Sequence, residues 1–187
     1  MTARTRFFRI APSTSAKVIR HPCGGRGQPC EENPMTQNRR HKLWIRAFQA
    51  ATDMTYMAAH RRQLSWPTLA EVMEEHRTLT DFGIGVFDSD RLTVGRRRAE
   101  LAAARLRLRR EEGLVLDWAQ RLRDNVMPVK TRSANSYGVK HLIEDATGVY
   151  MPNGVFIAAA LIVGYPFRYD EPNVLFGMSQ RDLTKLR

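Results

Sequence analysis

The sequence predicts an all-α, or nearly all-α, domain. Three observations carry that expectation. Apolar residues after Met35 recur at the i, i+3, i+4 spacing of a helix face. Capping signals, with Ser or Thr three residues ahead of Glu or Asp, stand before two such stretches. The eleven residues from Gly154 to Gly164, GVFIAAALIVG, carry no charge and no hydrogen-bonding side chain, as a helix buried all round requires. The expected architecture is one long amphipathic helix and a small C-terminal helical half packed around the apolar helix 154–163.

Residues 1–34 stand apart. They hold six basic and two acidic residues among Ser, Thr, Gly and Pro, with no sustained apolar periodicity, and predict a disordered basic tail. No apolar stretch of secretory-signal length is present. An organellar transit peptide and a translation start at Met35 are competing readings of this tail. Cys23 and Cys30, with His21 nearby, lack the second ligand pair of a structural zinc site. They read as incidental thiols in a reducing cytoplasm.

A helical N-terminal part is expected over 35–127. Leu43, Trp44, Ala47, Phe48 and Ala51 define its first face, and the stretch from Met54 to Leu64 continues or restarts that helix. Thr68 and Glu71 form a capping box after Pro67. They open a helix expected over Leu69–Leu79 with Leu69, Val72, Met73 and His76 inward. The Gly- and Asp-containing stretch from Asp81 to Val94 breaks the rhythm and reads as a turn or a two-stranded β excursion. Leu101, Leu108, Val115 and Leu122 then recur every seven residues, with Ala104 and Trp118 at the intermediate spacing. Glu111 and Gly113 spoil this seam at its centre, and Pro128 ends the helix. The seam either packs inside the chain or pairs two copies.

Residues 128–135 read as a polar connector, and 136–187 as a compact C-terminal part. There Ser136 is the expected cap of a helix with Val139, Leu142, Ile143 and Ala146 inward and Gly148 as its stop. Asn153, after Pro152, starts the apolar helix. That run is about half the roughly 20 residues a membrane span needs, and no membrane association is expected. It also lacks the polar face a groove-reading helix presents to base edges, which leaves the core as its place. Residues 164–174 read as a loop with two prolines, and Ser179 with Asp182 as the capping signal of a short last helix.

Function is read mainly from charge. The formal charge of +11 arises from 30 Lys and Arg against 19 Asp and Glu, which favours anionic partners. Of the basic residues 25 are Arg, a bias that codon composition alone would also produce. Seven Arg and three Glu fall between positions 96 and 112. Arg98, Arg105 and Arg109 lie within about 40° of one another on a helix, beside the Leu seam, and Arg96 and Arg97 of the same helix are further candidate phosphate contacts. Such a stripe is able to follow a phosphate backbone. The competing reading is a solvated face with local ion pairs such as Arg107 with Glu111. In the C-terminal part Arg168, Arg181, Lys185 and Arg187 are the candidate contacts. The basic-aromatic clusters Asn38–Trp44 and His60–Trp66 suit base stacking, but each Trp reads better as a core anchor crossed by Arg stems.

Catalytic signals are poor. Asp81-Phe82-Gly83 spells the metal-binding triplet of protein kinases without the loops that should precede it. Asp88 and Asp90 read as a turn, and His141 with Glu144 as a surface pair. Glu71, Glu74, Glu75 and His76 share one helix without the repeated motif of a carboxylate-bridged metal site. No cofactor, no metal and no enzymatic activity are expected. The segment from Asn135 to Tyr165 is distinctive, because Tyr137, Gly138, Asn153 and Gly154 sit at helix boundaries where chain geometry chooses the residue. The leading expectation is a non-enzymatic, cytoplasmic, nucleic-acid-associated helical protein. The alternative is an assembly module that forms a homodimer, or binds another protein, through Leu101, Leu108, Val115 and Leu122.

Overall fold

The computed structural model describes residues 34–186, so the expected tail up to residue 33, its two cysteines and the candidate Arg187 lie outside the described residues. Helix α1 spans Pro34–Thr52 and α2 spans Tyr56–Leu64, where the Thr55 hydroxyl accepts from the Ala58 N–H and restarts the helix. The inward face of α1 is Trp44, Ile45, Phe48 and Ala51, whereas Leu43 is exposed. The face is thus rotated by one residue toward Ile45 from the one the spacing predicts. Helix α3 spans Leu69–Glu75 and opens with the expected capping box, Thr68 N–H donating to the Glu71 carboxylate at 2.7 Å. It stops four residues short of Leu79, because Leu79 leaves the helix to bridge Ile84 and the Leu79 carbonyl turns toward α4. Between Asp81 and Val94 that bridge stands in place of a two-stranded excursion, followed by a single 3-10 turn at Ser89–Arg91.

The expected single long helix is two, α4 (Val94–Arg110) and α5 (Glu112–Asn125). The break falls at Glu111, with φ −91 and ψ 15, where Glu111 and nearby Gly113 interrupt the seam. Leu108, Val115 and Leu122 are buried, as are Ala104 and Trp118. The seam therefore packs inside the chain, chiefly through α5 against the apolar helix.

The C-terminal region departs furthest from the expectation. Strand β1 (Ala134–Asn135) leads into α6 (Ser136–Thr147), and α7 (Asn153–Val163) is followed by β2 (Phe167–Asp170), β3 (Asn173–Phe176) and the short α8 (Gln180–Leu183). The three strands form an antiparallel sheet ordered β1-β3-β2, with Phe167 opposite Phe176 and Ala134 also opposite Phe176. The connector and the two-proline loop thus both contribute strands. The fold is mostly helical with a small sheet.

Asn135, not Ser136, caps α6, its side chain accepting from Tyr137 and Gly138 N–H. Ser136 is buried and its hydroxyl accepts from Val174 N–H at 3.2 Å, tying α6 to β3. The buried face of α6 is Ser136, Val139, Lys140 and Ile143; Leu142 is half-buried and Ala146 exposed. Gly148 ends α6 in the left-handed region at φ 67.

All eleven residues of α7 are buried. Its neighbours are α3, α5, α6 and β3, so one core runs from Trp44 to Leu183 around it. No helix of the described residues is long and apolar enough to cross a membrane. At the start of α7, Gly154 lets two backbones touch: its N–H donates to the Asp81 carbonyl at 2.9 Å. A Cβ there would overlap the Thr80 carbonyl oxygen and the Asp81 backbone.

Candidate nucleic-acid interface

The arginine stripe lies on α4, and the segment 76–81 crosses that helix at Ala104, where Asp81 N–H donates to the Ala104 carbonyl at 3.4 Å. This crossing sorts the arginines. On one side Arg105 turns inward and donates to four carbonyls: Met73 at 2.6 Å, Arg77 at 2.7 Å, and His76 and Leu79 at 3.2 Å each. It closes the C-terminal end of α3, where helix carbonyls lack partners and the dipole favours a cation. Burial, and then the charge of Arg109, lowers the pKa of Arg105 from its ordinary value. Its guanidinium remains charged, as arginine does in proteins.

On the other side Arg107 holds Asp81 at 2.6 Å and Glu100 at 2.8 Å, and these hydrogen bonds raise its pKa. The expected partner, Glu111, is not the one it takes.

Beside Arg105 opens a groove of 680 Å³ between the end of α3 and α4, where Arg77, Arg98, Arg105 and Arg109 face a single acidic residue, Glu74. Arg77 pairs with Glu74 at 3.3 Å, with both side chains largely in solvent. Such a pair contributes no more than about 1 kcal/mol and yields readily to a phosphate. Arg98 and Arg109 are exposed, and among the described residues no carboxylate lies within ion-pair distance of either.

The structure thus brings Arg98, Arg105 and Arg109 together, as the helical count predicts. It ties Arg105 to four backbone carbonyls and places Arg77, which the sequence pattern does not mark, in the same groove. Arg77 closely follows α3, and a basic residue just past a helix end was its only signal. Arg96 is exposed on the first turn of α4, and Arg97 forks onto the Ser89 carbonyl at 2.7 and 3.1 Å. Arg168 on β2, Arg181 on α8 and Lys185 do not line the groove, and Arg168 and Arg181 are exposed. Lys185 pairs with Asp182 at 3.2 Å.

The tryptophans of the two basic-aromatic clusters belong to the interior. Trp44 is buried and stacks on Phe48 with centroids 5.0 Å apart; Trp66 packs against the core with the Arg123 guanidinium 5.1 Å above its ring. Neither presents a face to a base. Asp88 occupies a turn in the left-handed region at φ 51, and His141 pairs with Glu144 at 2.9 Å. Among the described residues no three metal-ligating side chains cluster. No protein-family model, no curated protein and no solved structure matches this chain.

Proposed function

We propose that this chain is a non-enzymatic, nucleic-acid-associated protein that contacts phosphates through the groove between α3 and α4. One observation carries the reading. Arg98 and Arg109 point outward without ion-pair partners among the described residues, on a helix whose other central arginines, Arg105 and Arg107, are tied to the fold. Guanidinium groups that the fold does not use are the ones able to exchange water and counterions for phosphate oxygens. Arg77 widens the site. The assembly alternative needs the Leu101, Leu108, Val115, Leu122 seam to face outward. Three of those four are buried, and Leu101 is half-buried at the edge of the groove.

The test is fluorescence anisotropy of the full chain with labelled single-stranded DNA, duplex DNA and RNA across a salt series. Log K is expected to fall linearly with log salt. Changing Arg77, Arg98 and Arg109 together to Gln should lower that slope by about one unit for each phosphate no longer neutralised. The same triple change should leave the unfolding free energy within about 0.5 kcal/mol of the parent, as surface substitutions do. No binding at low salt, or a slope that the triple change leaves untouched, would refute the reading.

A further inference from the structure

We propose that a second cleft, on the far side of the 76–81 crossing, binds a nucleobase. The cleft has a volume of 470 Å³ and is walled by Tyr137, Tyr150 and Phe82, with Lys140 and Asn153 in its lining. Its aromatic walls are open: Tyr137 is 52 % and Tyr150 73 % exposed, high values for large rings beside a core. Behind the rings its lining holds a pair of asparagines. Asn153 is only 7 % exposed, its Nδ2 donates to Asn173 Oδ1 at 3.1 Å, and its Oδ1 has no hydrogen-bond partner.

Charge selects the class of ligand. The Lys140 ammonium lies 4.9 Å from the Tyr150 ring centroid and 5.7 Å from that of Tyr137, taking the position a cationic guest would need between the rings. It is itself neutralised by Glu144, whose two oxygens accept from it at 2.7 Å each, while Met151 N–H donates to the same carboxylate at 2.8 Å. Burial alone would raise the pKa of Glu144, but Lys140 and the Met151 N–H outweigh it and hold the carboxyl below its ordinary range. Asp81, at the rim, is held by Arg107. Lys140 thus already takes the place of a cationic guest, and Lys140, Glu144, Asp81 and His141 each have an ionic partner, so the lining favours neither a cation nor an anion.

What fits is a neutral planar ring that stacks on tyrosine and donates an N–H to the half-buried Asn173 amide in the lining, beside Asn153. Nucleobases have that chemistry. Choosing them over other flat heterocycles rests on the phosphate reading above, since a chain of charge +11 meets bases attached to phosphates. Beyond Tyr150 and Phe82 the cleft continues into a hollow against Glu100, Ala104 and Arg107 of α4, which leaves space for the sugar. The base comes either from a strand or from a free nucleoside.

The full chain is titrated against 2-aminopurine riboside and against a single strand with one internal 2-aminopurine, reading the fluorescence that stacking quenches. Quenching of either probe is expected. It should weaken about tenfold in Tyr137→Ala/Tyr150→Ala and persist in Tyr137→Phe/Tyr150→Phe, since it is the ring that stacks. Purine riboside, which has no N–H donor, should compete about tenfold more weakly than adenosine. Quenching by the riboside alone assigns a free nucleoside, and quenching by the strand assigns an unstacked base. The riboside carries no phosphate, so its binding should survive the change of Arg77, Arg98 and Arg109 to Gln; the two readings then fail separately. Strand binding by anisotropy without quenching of either probe would overturn this proposal and leave the groove standing. Quenching indifferent to the alanine pair, or equal competition by purine riboside, would overturn it as well.

Discussion

Helices α4 and α7 are opposite solutions to being a helix in the same small protein. Every residue of α7 is buried, so composition alone determines where it lies. In α4 only Ala104 and Leu108 are fully buried, and the fates of its arginines differ by position. Arg105 and Arg107, two residues apart, face opposite sides of the segment that crosses at Ala104. One caps α3 and the other holds Asp81, while Arg98 and Arg109 remain in water. A run of like charges is thus divided by its neighbours into structural and available members, and charge counting along the sequence overstates the second group.

The contrast can be probed by variants of decreasing effect. In α7, Phe156→Ala removes a fully buried ring that packs edge-on to Phe176, and should destabilise the protein by about 3–5 kcal/mol in urea titration. A loss under about 1 kcal/mol would mean that α7 is not the centre of the core. In α4, Arg105→Gln strands several carbonyls at the end of α3 and should cost about 2 kcal/mol. A neutral result would return Arg105 to the proposed phosphate contacts.

The smallest effect is expected at His76, the first residue of the same crossing segment. Burial lowers its pKa from the ordinary value, against an opposing contribution from Glu75, and its Nδ1 is hydrogen-bonded with the Tyr169 hydroxyl. The folded state therefore resists protonation more than the unfolded chain does. Stability should be complete above the unfolded pKa of about 6.5 and should decline as pH falls through it toward the folded value. Melting curves between about pH 7.5 and about 5.5 should show that decline, and His76→Gln should flatten it.

Much of the fold is legible in the sequence because it depends on local patterns. The capping box at Thr68, the stop at Gly148, the start at Asn153 and the buried run that follows need only nearby residues for their reasons. The sheet is not legible. Its strands are two to four residues long, and Pro172 interrupts the hairpin, so no alternation has room to develop. Charge argues for an outward Lys140, yet Ser136, Val139, Lys140 and Ile143 form an i, i+3, i+4, i+7 set with Glu144 one turn on, a signal for a paired inward lysine. The grouping of Arg98, Arg105 and Arg109 follows from helical geometry. That Arg105 turns inward does not, because it requires α3 to end at Glu75 and its exposed carbonyls to fall beside α4.

The position of α7 along the chain has a temporal consequence. Ribosomes release residues in order, and the helix around which Trp44, Leu69, Leu108 and Leu122 gather is made after all of them. At about 5–20 residues per second, the interval between Leu108 and Val163 lasts roughly three to eleven seconds. Throughout that interval the nascent chain displays an apolar seam with nothing to cover it, a window in which chaperones and aggregation compete for the same surface.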